Sequence, residues 1–215
     1  MAPYRLRFLD LAIACGALRF GAFTLKSGRE SPYFFNAGRF DRGAALQGVG
    51  EAYADAIAGA GLDFDMLFGP AYKGIPLATA AAIALAGRGR DLPVAFNRKE
   101  AKGHGEGGLL IGAPLAGRVL VVDDVITAGT AVRESIALIH AAGARLAGLV
   151  VALDRKERGQ GQRSATQEIA AEFGVPVIAI ADLDDLLAFA ADRPELVQHA
   201  GGLLAYRARY GVVEP

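Results

Sequence analysis

Short apolar runs alternate with longer stretches of helical periodicity along most of this chain. Residues 119–122 and 146–153 are almost continuously apolar, which is typical of strands buried on both faces of a parallel sheet. Between them, residues 131–143 repeat their apolar positions at helical spacing. This alternation predicts an α/β protein with a parallel sheet flanked by helices, although it does not define the order of the strands.

The same criteria predict the remaining elements. Near the N-terminus the apolar run is interrupted by Asp10 and has helical spacing, which favours an amphipathic helix over a signal peptide. Residues 98–108 are charged, rich in glycine and without periodicity, which predicts a loop. We further expect short strands and turns over 20–37, helices over 44–60 and 75–86, strands over 64–68, 94–97 and 175–180, a helix before that last strand and two after it.

Composition narrows the class of protein. With 215 residues, of which 53% are hydrophobic and 21% charged, the chain can form one α/β domain with a sizeable core. Lys plus Arg and Asp plus Glu number 23 each, and this zero net charge argues against non-specific nucleic-acid binding. Cys15 alone allows no intramolecular disulfide and suits a reducing compartment. The longest apolar window, 74–87, is shorter than the ~20 residues that a membrane span needs, so we expect a cytoplasmic protein.

The segment VLVVDDVITAGTA, residues 119–131, carries the most specific chemistry. Asp123 and Asp124 follow the apolar run, and a small polar loop, 127–130, then opens a helical pattern. Free N–H groups at a helix N-terminus bind phosphate, and Gly129 allows close approach of the backbone. The two carboxylates would repel a phosphate, but they can accept hydrogen bonds from sugar hydroxyls or hold a divalent cation. One loop with both properties fits a ribose 5-phosphate group.

A second loop between a predicted strand and a predicted helix has the sequence GPAYKG, residues 69–74. Its backbone N–H groups and the cation of Lys73 would form another anion site. Taken alone, this pattern also fits a tight Gly-Pro turn. Its position about 50 residues before the first loop favours the functional interpretation.

The predicted loop over 98–108 carries Arg98, Lys99, Lys102 and His104. Such a segment fits a solvated surface loop, or a lid that closes over a highly charged ligand. It also contains a G-x-G-x-x-G pattern that matches a dinucleotide fingerprint. We reject that interpretation, because no strand is predicted directly before the pattern and no helix after it.

These residues carry a resemblance to a known family. Residues 119–131 are similar to the phosphoribosyl pyrophosphate (PRPP) motif of type I phosphoribosyltransferases: an apolar strand, two acids, two aliphatics and T-x-G-x-[ST]. The blocks FTLKSGR, NRKEAK and LDRKERG resemble orotate phosphoribosyltransferases in particular, and the similarity covers about residues 4–210. The resemblance implies the type I phosphoribosyltransferase fold in a single domain over 1–215, with residues 1–40 forming a small hood over the base.

The resemblance also implies a set of site residues. Catalysis would involve Arg98, Lys99, Lys102, His104, Asp123 and Asp124. PRPP would be bound by Lys26, Tyr72, Lys73, Arg98, Lys99, Lys102, His104, Asp123, Asp124, Val125, Ile126, Thr127, Ala128, Gly129, Thr130 and Ala131. Orotate would contact Phe34, Phe35, Thr127 and Arg155. A magnesium ion would be held by Asp123 and Asp124 through water.

The implied reaction transfers the 5-phosphoribosyl group from PRPP to orotate. The products are orotidine 5′-monophosphate and pyrophosphate, in the biosynthesis of UMP. We expect a homodimer in which the 98–108 loop of one subunit covers the site of the other, with neither nucleic acid nor membrane as partner. Two alternatives stay open: a phosphoribosyltransferase for another base, and a non-catalytic regulator that keeps the PRPP fold and binds a nucleic acid.

Overall fold

The computed structural model describes residues 1–25, 27–102, 108–159 and 161–212, and for residues 101 and 102 it describes the backbone alone. The helices are α1 (Pro3–Ala14), α2 (Gly43–Ala60), α3 (Gly74–Gly87), α4 (Thr130–Ala141), α5 (Ala165–Phe173), α6 (Leu183–Ala191) and α7 (Val197–Tyr210). The strands are β1 (Leu18–Thr24), β2 (Glu30–Phe35), β3 (Met66–Gly69), β4 (Val94–Lys102), β5 (Gly108–Gly112), β6 (Arg118–Asp123), β7 (Arg145–Asp154) and β8 (Val177–Asp182).

Six strands form the central sheet, in the order β5-β4-β3-β6-β7-β8. Strands β4, β3, β6, β7 and β8 are mutually parallel, as predicted, whereas β5 pairs antiparallel with β4 at the edge of the sheet. The predicted α/β fold is therefore confirmed, with one antiparallel strand that the apolar pattern did not indicate.

The prediction of a loop over 98–108 is wrong in part. Residues 98–102 continue strand β4, and Gly108 begins β5, while 103–107 lie outside the described residues. Beyond Phe96, β4 no longer pairs with β3 and keeps only the edge strand β5 as its partner. Charged residues are common at such sheet margins, where they face water, so charge here did not exclude a strand. A strand thus precedes the G-x-G-x-x-G pattern after all. It is followed by a strand instead of a helix, so the dinucleotide interpretation still fails.

The two faces of the sheet bury alternate residues of the same strands, because successive side chains of a strand point in opposite directions. Helices α1, α2, α3 and α6 cover one face, over Leu67, Leu120, Val122, Val150 and Ala152. Helices α4 and α5 cover the other, over Met66, Phe68, Val119, Val121, Leu149 and Val151. Burial on both faces explains why β6 and β7 read as continuous apolar runs.

Strands β1 and β2 form a separate antiparallel hairpin. The buried side chains of β2 are Ser31, Tyr33 and Phe35, and the ring of Phe35 packs 6.3 Å from that of Phe8 in α1. On the same side, the ring of Tyr33 lies 6.1 Å from that of Tyr206 in α7. The hairpin therefore rests on the first and last helices, close to the C-terminal end of β7. Within the described part of the chain, no helix has the length and hydropathy of a membrane span.

Candidate active site

The predicted loops meet at one edge of the sheet. Strands β3, β6 and β7 are parallel, and the segments 70–73, 124–129 and 155–159 leave their carboxyl ends. In open α/β sheets ligands bind outside the carboxyl ends of the strands. This topology brings together residues that are more than 80 positions apart in the sequence.

The loop between β6 and α4 presents a helix N-terminus to solvent. Thr127, Ala128, Thr130 and Ala131 are exposed, and no side chain caps the first turn of α4. Gly129 has φ of 72°, a conformation that favours glycine, and a Cβ there would lie 2.7 Å from Arg133 Nη1. The loop therefore combines free N–H groups with the positive end of the helix dipole, as phosphate binding requires.

The two aliphatic residues of the motif, Val125 and Ile126, pack against the core and not toward the site. The side chain of Ile126 is buried in the core between the sheet and α4, and that of Val125 is half-buried against the opposite cluster. Neither offers more than backbone atoms to a ligand. Their packing anchors the loop to both faces of the sheet.

Asp123 and Asp124 are buried, with 9% and 6% of their surface exposed. Asp123 accepts a hydrogen bond from the backbone N–H of Asp124 at 2.9 Å, and Lys73 Nζ lies 2.8 Å from Asp124 Oδ2. Burial, and then the neighbouring charge of Asp124, raise the pKa of Asp123 to about 7. Because Lys73 is the one cation in contact with this pair among the described residues, and it contacts Asp124 alone, carboxylate oxygens are left free for a ligand.

The second anion loop, 69–74, packs tightly against β6. A Cβ on Gly74 would lie 2.6 Å from Pro70 Cδ and 2.8 Å from the carbonyl oxygen of Val122, so only glycine lets α3 start here. The backbone N–H of Ala71 donates to Asn97 Oδ1 of β4 at 2.9 Å. Tyr72 is 68% exposed beside this loop, and Lys73 extends from it to the acid pair.

The predicted lid residues are only partly described. Arg98 Nη1 donates to the carbonyl oxygen of Gly108 at 3.3 Å, and Lys99 Nζ lies 5.4 Å from the centre of the Tyr72 ring. Lys99 therefore lies beside the exposed Tyr72 at the rim of the second anion loop, whereas Arg98 contacts the backbone of β5. Lys26 and His104 lie outside the described residues, as does the side chain of Lys102.

Arg155 follows β7 and is held from several sides. Its Nε and Nη2 are both 2.6 Å from Glu157 Oε1, and its guanidinium lies 4.4 Å from the centre of the Tyr33 ring. Nη2 also lies 3.2 Å from Ser31 Oγ and 3.3 Å from Tyr206 Oη. Only 12% of the Arg155 side chain is exposed.

The two adjacent phenylalanines of β2 separate. The ring of Phe35 is in the core against Phe8, whereas that of Phe34 is half-buried on the other face, 5.6 Å from the ring of Phe23. Residues that follow each other on a strand point to opposite faces. One surface can therefore use the side chain of Phe34 together with the backbone, but not the side chain, of Phe35.

Sequence reasoning missed several partners in this region. Glu157, Ser31 and Tyr206 surround Arg155, and Arg133 of α4 donates to the carbonyl oxygen of Ala128 in the phosphate loop at 3.0 Å. Glu157 stands two residues after Arg155 and had a local signal in the block LDRKERG. Ser31, Tyr206 and Arg133 are far from their partners in the sequence or carry no motif, so no local sequence signal indicated them.

Chemically, this edge of the sheet offers two anion-binding loops, a buried acid pair between them and an arginine on one side. A site with two places for phosphate and one for hydroxyl groups defines a phosphoribosyltransferase.

Comparison with known proteins agrees with this class. Residues 39–177 match the model of the phosphoribosyl transferase domain. The orotate phosphoribosyltransferase of Xanthomonas euvesicatoria pv. vesicatoria is 69% identical over 214 residues, 98% of each chain. The crystal structure of the Francisella tularensis orotate phosphoribosyltransferase superposes with a TM-score of 0.86 at 40% identity, over 95% of this chain and 98% of that one. The crystal structure of the Mycobacterium tuberculosis orotate phosphoribosyltransferase in complex with PRPP superposes with a TM-score of 0.65 at 26% sequence identity. The superposition covers 86% of this chain and 99% of that one.

The chain belongs to the orotate phosphoribosyltransferase family, whose members are pentosyltransferases. The predicted fold, family and enzyme class are thereby confirmed.

Proposed function

We propose that the chain transfers the 5-phosphoribosyl group of PRPP to orotate and releases pyrophosphate, in the biosynthesis of UMP. The observation that carries the proposal is the 2.8 Å contact between Lys73 and Asp124, which joins the two anion loops across the buried acid pair. A ligand with a phosphate at one end, a diphosphate at the other and hydroxyl groups between them fits this arrangement.

PRPP lies across the two loops in this proposal. The backbone N–H groups of the 127–131 loop bind its 5-phosphate, with hydroxyl groups of Thr127 and Thr130 as further donors. Lys73 and the exposed Tyr72 face the pyrophosphate. Asp123 and Asp124 accept hydrogen bonds from the ribose hydroxyls, while Val125 and Ile126 hold the loop in place through their packing.

Orotate lies beside Arg155 and below the β1–β2 hairpin. An arginine binds a planar carboxylate with two parallel hydrogen bonds, which suits the carboxylate of orotate. Thr127 is a further contact. Phe34 and Phe35 contribute through their backbone, since the Phe35 ring is in the core and the Phe34 ring lies on the face of the hairpin away from Arg155. This places the nucleophilic nitrogen of the base on the same edge of the sheet as the ribose.

The chemistry is mainly stabilisation of charge. As the C1–O bond breaks, positive charge develops on the ribose ring and negative charge on pyrophosphate. Lys73, Arg98, Lys99 and Lys102 stabilise the leaving group, and the closed lid excludes the water that would hydrolyse the activated sugar. Either Lys102 or His104 donates the proton to pyrophosphate, and the base nitrogen attacks C1 from the opposite face.

Magnesium fits the acid pair. The described residues contain no cluster of three or more metal-binding side chains, but Mg²⁺ is usually held by one or two carboxylates together with water and substrate oxygens. Asp123 and Asp124 provide two buried carboxylates, of which Asp124 alone contacts a cation, Lys73, among the described residues. The ion would supply positive charge beside the ribose hydroxyls and the pyrophosphate.

A homodimer with the lid acting in trans is the second part of the proposal. Helix α3 is apolar on all sides, a composition typical of helices buried on all sides, yet Pro76 and Ala86 are exposed and Ile83 is 69% exposed. An apolar outer face of this kind supports coverage by a second copy of the chain. The cytoplasmic location, expected from the short apolar windows and consistent with the single cysteine, stays a prediction.

The reaction is tested by the loss of orotate absorbance on addition of PRPP, with and without Mg²⁺. We expect metal-dependent turnover of orotate and none of adenine, hypoxanthine or uracil. Turnover of one of those bases in place of orotate would indicate a different phosphoribosyltransferase. Binding of PRPP without consumption of any base would indicate a regulator.

The lid in trans is tested by mixing inactive subunits. Random assortment of Lys26→Ala and Lys102→Ala chains makes half of the dimers mixed, with one intact site each, so about a quarter of wild-type activity should return. The control is a mixture of Lys26→Ala with the double variant Lys26→Ala/Lys102→Ala, which should restore no activity because every site then lacks Lys26. No recovery in the first mixture, after subunit exchange has been verified, would argue for lids that act in cis.

A further inference from the structure

Glu157 is shared by two arginines and a tyrosine at the base side of the site. Its Oε1 is 2.6 Å from Nε and Nη2 of Arg155 and accepts a hydrogen bond from the Tyr206 hydroxyl at 2.7 Å. Its Oε2 lies 3.2 Å from Nη1 of Arg29, a residue of the hairpin between β1 and β2. Only 14% of the Glu157 side chain is exposed, so solvent screens these charges weakly.

Tyr206 acts as a donor in this cluster. Burial, and then the hydrogen bond to Glu157, raise the pKa of Tyr206 to about 12, so its hydroxyl group is protonated at neutral pH. Tyr206 Oη and Ser31 Oγ also contact Nη2 of Arg155, while Glu157 accepts from Nε, so the Nε and Nη2 edge of the guanidinium is fixed. Among the residues that the structure describes, Nη1 of Arg155 has no hydrogen-bond partner. The network therefore orients Arg155 and leaves one of its nitrogens for a ligand.

The charge balance of the cluster depends on Arg29. Arg155 and Glu157 form a buried pair whose charges cancel, and such a pair by itself would attract a neutral base as well as an anionic one. Arg29 is the third charge, and it brings the total of the three side chains to one positive charge. It is held in place by a second hydrogen bond, from Nη2 to the carbonyl oxygen of Arg158 at 2.9 Å, and by the Tyr210 ring, 5.0 Å away.

We propose that Arg29 determines the preference for an anionic base, acting through Glu157 on Arg155. Glu157 positions the guanidinium that contacts the base, and Arg29 supplies the positive charge that Glu157 would otherwise cancel. The inference rests on the proposed function, since it takes Arg155 as the contact to orotate. Arg29 is thus a specificity-determining residue of the β1–β2 hairpin without direct contact to the reacting atoms.

The experiment compares Arg29→Gln with Arg29→Lys. The first removes the charge and the second keeps it. In Arg29→Gln we expect KM for orotate to rise roughly five- to tenfold, because one unit charge at short range in a partly screened site has about this effect. KM for PRPP should change less than twofold, and Arg29→Lys should retain most of the wild-type KM for orotate.

A charge-specific readout separates selectivity from a structural role. The neutral carboxamide analogue of orotate is used as a competitive inhibitor, and the ratio of its inhibition constant to KM for orotate is measured. This ratio should fall about fivefold in Arg29→Gln and stay near the wild-type value in Arg29→Lys. Arg193→Gln, which removes an arginine paired with Asp10 at 2.7 Å, is the matched control and should leave the ratio unchanged.

Two outcomes would overturn the inference. One is an unchanged ratio in Arg29→Gln, and the other is an equal rise of KM for orotate and PRPP, which would assign Arg29 to the hairpin or to PRPP. Arg155→Gln is measured in parallel, because it tests the proposed function itself. If Arg155→Gln leaves KM for orotate unchanged, the base site is elsewhere and the inference falls with it. If it raises KM while Arg29→Gln does not, the inference alone is wrong.

Discussion

The two ends of strand β6 carry charged residues in opposite circumstances. At the N-terminal end, Arg118 pairs with Asp63 and Asp65 at the surface, and all three side chains are at least two-fifths exposed to water. At the C-terminal end, Asp123 and Asp124 lie beside one cation, Lys73, which contacts Asp124, but both carboxylates are buried. Two acids and one cation are therefore found at each end of a six-residue strand, in two different dielectric environments.

The pKa values of the acids record this difference. Hydrogen bonds from Arg118 lower the pKa of Asp65 to about 2, whereas burial and the charge of Asp124 raise the pKa of Asp123 to about 7. A lowered pKa means that folding stabilises the carboxylate, and a raised one means that folding opposes it. The first end of β6 thus stabilises the fold, while the second holds charge that a ligand or cation would stabilise.

The largest effect should come from Asp124→Asn, which removes the carboxylate that Lys73 contacts. We expect kcat/KM for PRPP to fall roughly 10²- to 10³-fold, the scale seen when one preorganised electrostatic group is lost from an active site. The Mg²⁺ concentration that gives half-maximal activity should rise as well. Steady-state kinetics at several Mg²⁺ concentrations measure both.

Asp63→Asn is the matched control at the other end of β6, and its kcat/KM should stay within about twofold of wild type, since Asp63 is exposed and distant from the site. Wild-type kinetics and metal dependence in Asp124→Asn, with the fold intact by circular dichroism, would refute the role of the acid pair.

The sequence predicted the positions of the acids at the C-terminal end of β6 but not the residues that contact them. The apolar run before Asp123 and the helical pattern after the 127–130 loop predicted where the acids lie, because both signals are local. The contact of Lys73 with Asp124 spans 51 positions, and that of Ser31 with Arg155 spans 124. Such distances in sequence leave no periodicity, so these partners required the tertiary structure.

The same limit explains what was missed in the fold. Strand order depends on which helices pack on which face, and short apolar runs do not specify it. The extension of β4 through Arg98 and Lys99 depends on the edge strand β5, which is the remaining partner of β4 beyond Phe96. The separation of Phe34 from Phe35, by contrast, follows from strand alternation and was predictable from the sequence.

A second, smaller effect concerns stability. In the ligand-free protein without Mg²⁺, the pKa of Asp123 is raised to about 7 from an ordinary 3.8. Between these values the native state holds a proton that the unfolded chain has lost, so the free energy of unfolding decreases as pH rises from about 4 to 7. Asp123→Asn stays neutral and should be more stable than wild type at pH 8 by about 1–3 kcal/mol, with little difference at pH 4.

Urea unfolding at several pH values measures this effect, and the asparagine can still accept the hydrogen bond from the backbone of Asp124. The same variant should lose activity, so that stability and function change in opposite directions. If the free energy of unfolding has the same pH dependence in wild type and in Asp123→Asn, then folding does not raise the pKa of Asp123 and the explanation is wrong.

The smallest effect should come from Asp65→Asn, at the exposed end of β6. Because folding lowers the pKa of Asp65, its contribution to stability is present above pH 4 and is lost as pH falls towards 2. The variant should therefore have a slightly lower Tm at pH 7 and a shallower loss of Tm on acidification, in the direction opposite to Asp123→Asn. Its kcat/KM should equal that of wild type, since Arg118 and its partners lie at the N-terminal end of β6, whereas the anion loops lie at the carboxyl ends of the strands. A clear loss of activity in Asp65→Asn at unchanged Tm would show that the two ends of β6 are coupled, and the division of the strand into a stabilising end and a reactive end would then be wrong.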